Sequence, residues 1–140
     1  MYITGVTVNS FSPASQAGVL WDADGSGADI YPIIKRNGSI IFNGHTDYPT
    51  YCYKVDANYS TGYSMPFFED SIDITDPTNP NYRLELWDYD NSSDSTMMEG
   101  RNFVPYTGIN GFPGSITVND TSAYHEKFEF RVNLSPYYKW

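Results

Sequence analysis

Apolar and polar residues alternate with a period of two along most of this chain, the spacing of half-buried strands. The pattern opens with Ile3, Val6, Val8 and Phe11, which predicts a strand over residues 2–11. A loop rich in Ser, Pro, Gly and Asp follows over 12–28, then a strand from Asp29 to Lys35. Pro32 inside that strand predicts an edge position or a bulge, because proline has no N–H for the ladder. Asn37-Gly38 is a strong hairpin signal, returning through Ser39 to Phe42. Further strands are predicted over 50–56, 66–75, 82–88, 101–106, 115–118 and 126–134. Two of these alternate most cleanly. Tyr82, Leu84 and Leu86 oppose Arg83, Glu85 and Trp87, and Phe128, Phe130, Val132 and Leu134 oppose Lys127, Glu129, Arg131 and Asn133.

About eight strands, separated by turn signals every ten residues or so, imply a sandwich or barrel. Each strand has one apolar face, so a second sheet must cover it. The expected fold is all-β, an eight-stranded antiparallel β-sandwich forming a single domain over residues 1–140, with Leu84, Leu86, Phe128, Phe130 and Val132 inside. Composition agrees: aromatics make up 17% of the chain, with thirteen Tyr, and this favours sheet over helix. The single cysteine, Cys52, excludes an internal disulfide and a zinc ribbon, and is read as a packed strand residue.

Net charge is −9, which argues against nucleic acid as a partner. The acids are also clustered. One group runs Trp21-Asp22-Ala23-Asp24-Gly25-Ser26-Gly27-Ala28-Asp29, and the other Trp87-Asp88-Tyr89-Asp90-Asn91-Ser92-Ser93-Asp94. Like charges ~4 Å apart repel by about 1 kcal/mol in water and ~4 at an effective dielectric of 20. A fold tolerates such crowding when a cation is to be held. Oxygen donors without His or Cys select Ca²⁺, or in second place Mg²⁺, over softer metals. Asp22, Asp24, Asp29, Asp88, Asp90 and Asp94 are therefore the candidate metal ligands. The opening Asp22-Ala-Asp24-Gly-Ser26-Gly27 matches the start of an EF-hand loop. The twelfth position, however, is Ile33 in place of Glu, and strands flank it, so an EF-hand is rejected.

The order of these features resembles a C2 domain. A strand leads into an Asp-containing loop that closes with Asp29-Ile30-Tyr31. Later a strand ends Leu86-Trp87-Asp88-Tyr89-Asp90, followed by Asp94 and Gly100, and Pro66-Phe67-Phe68-Glu69-Asp70 resembles the family segment that starts a central strand. Ile30 stands where the family usually has Pro, and Asp22 and Asp24 lie seven and five residues before Asp29 where six is usual, so either is the ligand. The resemblance spans about residues 3–134. It implies a divergent C2-like sandwich of the circularly permuted second topology, two or three bound Ca²⁺ ions, and calcium-dependent binding to phospholipid headgroups or a protein partner. Asp24, Asp29, Asp88, Asp90 and Asp94 total −5, so two Ca²⁺ leave −1 and three leave +1, which would open coordination positions to phosphate.

No catalytic set accompanies the clusters. His45 and His125 are read as solvated loop or edge residues, Gly25-Ser26-Gly27 lacks the Lys of a phosphate loop, and coordinated carboxylates are unavailable as acids, so no enzyme is expected. Leu20-Trp21 and Met97-Met98 flank the acidic loops and are read as sandwich-end core, with apolar insertion into a partner as the other role. Only eight Lys and Arg are spread over the chain, which favours a rival reading: a calcium-stabilised structural or adhesive domain with no lipid bound. The start of the chain has neither the basic residues nor the apolar run of a signal peptide, while the Asn-, Ser-, Thr- and Tyr-rich composition resembles that of extracellular or cell-envelope proteins.

Overall fold

A computed structural model describes residues 2–11, 14, 18–46, 54–57, 62–66, 72–76, 78–90, 96–105, 115, 118–124 and 129–139. Among them ten strands form two antiparallel sheets and no helix occurs. They are β1 (Tyr2–Ser10), β2 (Ala28–Arg36), β3 (Ser39–Asn43), β4 (Lys54–Ala57), β5 (Tyr63–Pro66), β6 (Ile72–Asp73), β7 (Tyr82–Asp88), β8 (Thr96–Phe103), β9 (Val118–Tyr124) and β10 (Glu129–Lys139). The first sheet has the order β5-β1-β10-β9, with β6 also on β1. The second has the order β3-β2-β7-β8, with β4 also on β2. Eight strands thus make two four-stranded paths, as the alternation predicts, and two short strands pair beside them.

One apolar cluster joins the sheets. Ile3, Val6 and Val8 of β1 meet Ile30 and Ile34 of β2 and Leu84 and Leu86 of β7, all with 0% exposure. Successive side chains on a strand point to opposite faces, so the period-two positions share one interior. Burying each such side chain contributes roughly 1.5–3 kcal/mol. Val118 of β9 belongs to the same cluster. Phe130 and Val132 lie in β10, of which the backbone is described, and Phe128 and Cys52 lie outside the described residues.

Turn chemistry holds where it was predicted. Asn37 and Gly38 have φ of 50° and 82°, the left-handed pair that a two-residue hairpin needs, and Arg36 pairs with Ser39. Pro32 is a correction: β2 is central, not an edge. Its neighbour on one side changes from β4, paired as far as Ile30, to β3, paired from Ile33. The Pro32 carbonyl accepts from Gly44 N at 2.8 Å on that side, so the missing donor falls where the partner changes. Boundaries also differ: β8 begins at Thr96, and of the strand predicted over 66–75, Pro66 ends β5, Ile72–Asp73 forms β6, and 67–71 lie outside the described residues.

The outer face of the second sheet carries Glu85, which is only 2% exposed. Its Oε1 accepts from Lys35 Nζ at 2.9 Å and Arg83 Nε at 2.8 Å, and its Oε2 from Trp87 Nε1 at 2.9 Å. Burial pushes this carboxyl upward, but those three donors outweigh it and hold its pKa below the ordinary value. Gly100 pairs with Glu85 across β7 and β8. A Cβ there would come within 2.5 Å of the Arg83 guanidinium, so in this chain Gly100 is strand backbone that makes room for that cation.

Candidate metal centre

The two acidic clusters meet because β2 starts where the first ends and β7 ends where the second starts. In the antiparallel register Ile30 faces Asp88. One step further out, Tyr89 N donates to the Asp29 carbonyl at 2.9 Å, and Asp29 N donates to Asp88 Oδ1 at 2.8 Å, a bond between residues 59 apart in sequence. The first loop folds back on itself. Gly25, at φ 82°, donates its N–H to the Asp22 carbonyl at 3.1 Å, and this tight turn leaves the Asp22 side chain beside Asp88 and Asp90.

One oxygen from each of Asp22, Asp88 and Asp90 lies within 4.8 Å of the others, so this group could hold a metal ion. Two oxygens bound at 2.6 Å on opposite sides of one Ca²⁺ stand about 5.2 Å apart, so a single ion can be reached by all three. Asp88 has no exposed surface, and its Oδ2 has no hydrogen-bond partner; Asp22 Oδ2 is likewise buried without one. Burial first, then Asp90, Asp22 and Asp29 nearby, push the Asp88 carboxyl up to about 6, against the Asp29 N–H, which pulls it down. The pKa of Asp22 is also raised, by burial first and then by Asp29, Asp90 and Asp24.

Asp24 behaves differently. It is exposed, and its Oδ1 accepts from Ser26 N at 2.9 Å and Ser26 Oγ at 2.6 Å, which lowers its pKa. It lines the wall of an open hollow of about 300 Å³ that Asp22 and Asp90 also line. Asp29 and Ser26 share that wall. Asp94 lies outside the described residues.

A third segment completes the hollow, and the sequence reading missed it. On β4, Ala57 pairs with Ala28 and Lys54 with Ile30, so Val55 and Asp56 together oppose Asp29. This is a β-bulge, and its Asp56 has φ of 50°. Val55 and Asp56 both line the hollow, and Asp56 N donates to Asp29 Oδ1 at 2.9 Å. Gly27 allows the approach, since a Cβ there would come within 2.8 Å of the Ala57 oxygen and the Asp56 carbonyl carbon. A lone Asp in a Lys-Val-Asp-Ala run has no motif around it, so only the pairing of β4 with β2 could reveal it.

The flanking apolar pairs split. Met98 is 5% exposed while Met97 is 42% exposed, as neighbours on one strand must differ. Trp21 packs against the core and Leu20 is 54% exposed. His45 is half-buried, stacked on Tyr89 with ring centroids 4.0 Å apart and tilted against Tyr31 at 5.4 Å. It is thus part of an aromatic row, not a solvated loop residue. His125 lies outside the described residues.

No family model matches the sequence, and no curated protein does. One solved structure, described by the words "CC2D1B coordinates ESRCT-III activity during the mitotic reformation of the nuclear envelope", superposes with a TM-score of 0.45 at 8% identity. The superposition covers 98% of this chain and 55% of that one, so this chain spans about half its length.

Proposed function

We propose that this chain is a calcium-binding, C2-like β-sandwich module without catalytic activity. The observation that carries the reading is the orphaned Oδ2 of Asp88, an acceptor with no exposed surface and no donor. Leaving a buried acceptor unmet costs about 1–3 kcal/mol, and more when it is charged. An ion between Asp22, Asp88 and Asp90 would complete the two carboxylates, Asp22 and Asp88, that each keep a buried oxygen without a donor. Every donor there is a hard oxygen, and the hollow has room for the six to eight ligands of Ca²⁺. Asp22 is the deep ligand in this reading. Asp24 and Asp29, which line the hollow, belong to a second ion position.

Held this way, the ion ties the first acidic loop to the end of β7. A partner would use the coordination positions left open toward the hollow, a phospholipid headgroup or a protein oxygen by resemblance to C2 domains. The permuted topology is supported by β1, which leads into the acidic loop and pairs with β10. Metal-bound carboxylates are not free to act as proton donors, which is the ground for assigning no reaction.

Thermal melting in chelator and in millimolar calcium tests the reading. At 100 times its dissociation constant a ligand adds about 2.7 kcal/mol. For a domain of this size that raises the melting temperature by roughly 10 °C. Equal melting temperatures in the two buffers would refute calcium binding.

A further inference from the structure

We infer that Asp56 is a specificity-determining residue that keeps the calcium-loaded cup from binding anionic surfaces and reserves it for neutral oxygen donors. The inference rests on the calcium reading above and goes beyond it. That reading does not stand on crowded acids alone, since Asp88, one of the three grouped carboxylates, is fully buried and keeps its Oδ2 without a partner.

The argument is one of charge and position. Among the described residues, Asp22, Asp24, Asp29, Asp88 and Asp90 total −5, so three Ca²⁺ would turn the cup to +1, a receptor for phosphate. Asp56 brings the total to −6, so two ions leave −2 and three leave the cup neutral. No Lys or Arg is among the described residues lining the hollow. The adjacent Lys54 does not compensate, because its Nζ lies over the Tyr63 ring, 5.6 Å from the centroid. The bulge opposite Asp29 brings Asp56 to the rim, and Gly27 clears the space that lets β4 approach. Val55, 51% exposed beside it, adds an apolar contact to the same rim. Loaded with three ions, such a rim has no net positive charge to draw phosphate or carboxylate and accepts hydroxyl or carbonyl oxygens, so of the two partners proposed above it selects the protein oxygen.

Asp56→Asn deletes the charge cleanly. Asn tolerates the left-handed backbone as well as Asp does, and the hydrogen bond to Asp29 comes from the main chain. Asp73→Asn deletes one charge at the opposite end of β1, where Asp73 pairs with Tyr2. The three proteins are sedimented with phosphatidylcholine vesicles containing phosphatidylserine, in millimolar calcium and in chelator, and melted in the same buffers. Wild type and Asp73→Asn should stay in the supernatant, while Asp56→Asn partitions about fivefold more strongly in calcium, the gain one surface charge brings. All three should keep the calcium-induced rise in melting temperature. Wild type sedimenting as strongly as Asp56→Asn would overturn the inference, as would no gain in Asp56→Asn or an equal gain in Asp73→Asn. Loss of the melting rise in Asp56→Asn alone would also overturn it, making Asp56 an obligatory ligand. Absence of the rise in wild type would remove the calcium reading itself and this inference with it.

Discussion

Two buried carboxylates sit three residues apart on β7 and face opposite sides of its sheet. Glu85, on the outer face, has both oxygens engaged by Lys35, Arg83 and Trp87, and its pKa is held down. Asp88, at the end of the strand, receives one backbone N–H, keeps an oxygen without a donor, and has its pKa pushed up to about 6. Burial is nearly the same for the two, so the difference lies in what surrounds them. Donors complete Glu85, while acids crowd Asp88. Glu85 therefore serves the fold as it stands, whereas Asp88 is complete only with a proton or a cation.

The largest effect should come from breaking the completed site. Glu85→Ala strands Lys35, Arg83 and the Trp87 indole N–H. Loss of one partner from a buried pair costs about 3–5 kcal/mol. Both cations are partly exposed and can rejoin water, so a loss near 3 kcal/mol is expected in urea denaturation. A change under 1 kcal/mol would mean that the network is decorative.

Asp88→Asn should do the reverse in chelator, leaving the apo fold intact or more stable, because it removes a crowded like charge. In millimolar calcium it should forfeit most of the roughly 2.7 kcal/mol that the ion contributes. Calorimetric titration of wild type and variant measures this directly. An Asp88→Asn protein that binds calcium with unchanged affinity would refute the role given to Asp88.

pH separates the two carboxylates in the absence of calcium. Asp88 has its folded pKa raised, from an ordinary 3.8 to about 6, so the folded state holds the proton more tightly than the unfolded chain does. Stability should therefore rise as pH falls from 7 to 5, by about 1.3 kcal/mol. Glu85 has its folded pKa lowered from 4.5, so its contribution is intact across that window and is lost only below it. Denaturant midpoints in calcium-free buffer should climb toward pH 5 in wild type and stay flat in Asp88→Asn. A midpoint that falls steadily over this range would count against a protonated Asp88.

The smallest expected effect concerns how the acidic end is assembled. Gly27→Ala should force β4 away from the loop, costing about 1–2 kcal/mol by overpacking against main chain that cannot easily yield. Calcium affinity at the deep position should change little, since none of Asp22, Asp88 and Asp90 lies on β4. A Gly27→Ala protein as stable as wild type would show that the contact is relaxed in solution.

Much of this architecture could be read from single residues. Tyr82, Leu84 and Leu86 alternate with Arg83, Glu85 and Trp87, and those two sets do face the core and the outer surface of the second sheet. Asn37-Gly38 made its hairpin because the turn's backbone requirement is local. The acidic loops were legible as loops for the same reason. The misjudgements concern partners. Pro32 was read as an edge or bulge residue because a sequence does not reveal which neighbour changes beside it, and His45 as a solvated loop or edge residue because its stack on Tyr89 joins segments far apart in the chain.

By itself the sequence determined an all-β chain of alternating strands with two acidic clusters, since side-chain alternation and turn preference act over a few residues. Tertiary structure alone decided which acids meet. The pairing of β2 with β7 brought Asp88 and Asp90 to Asp22, the Ser26 contacts drew Asp24 to the wall of the hollow, and the bulge on β4 added Asp56. Convergence depends on strand register and on which backbone can approach another, and neither is written in any short stretch of residues.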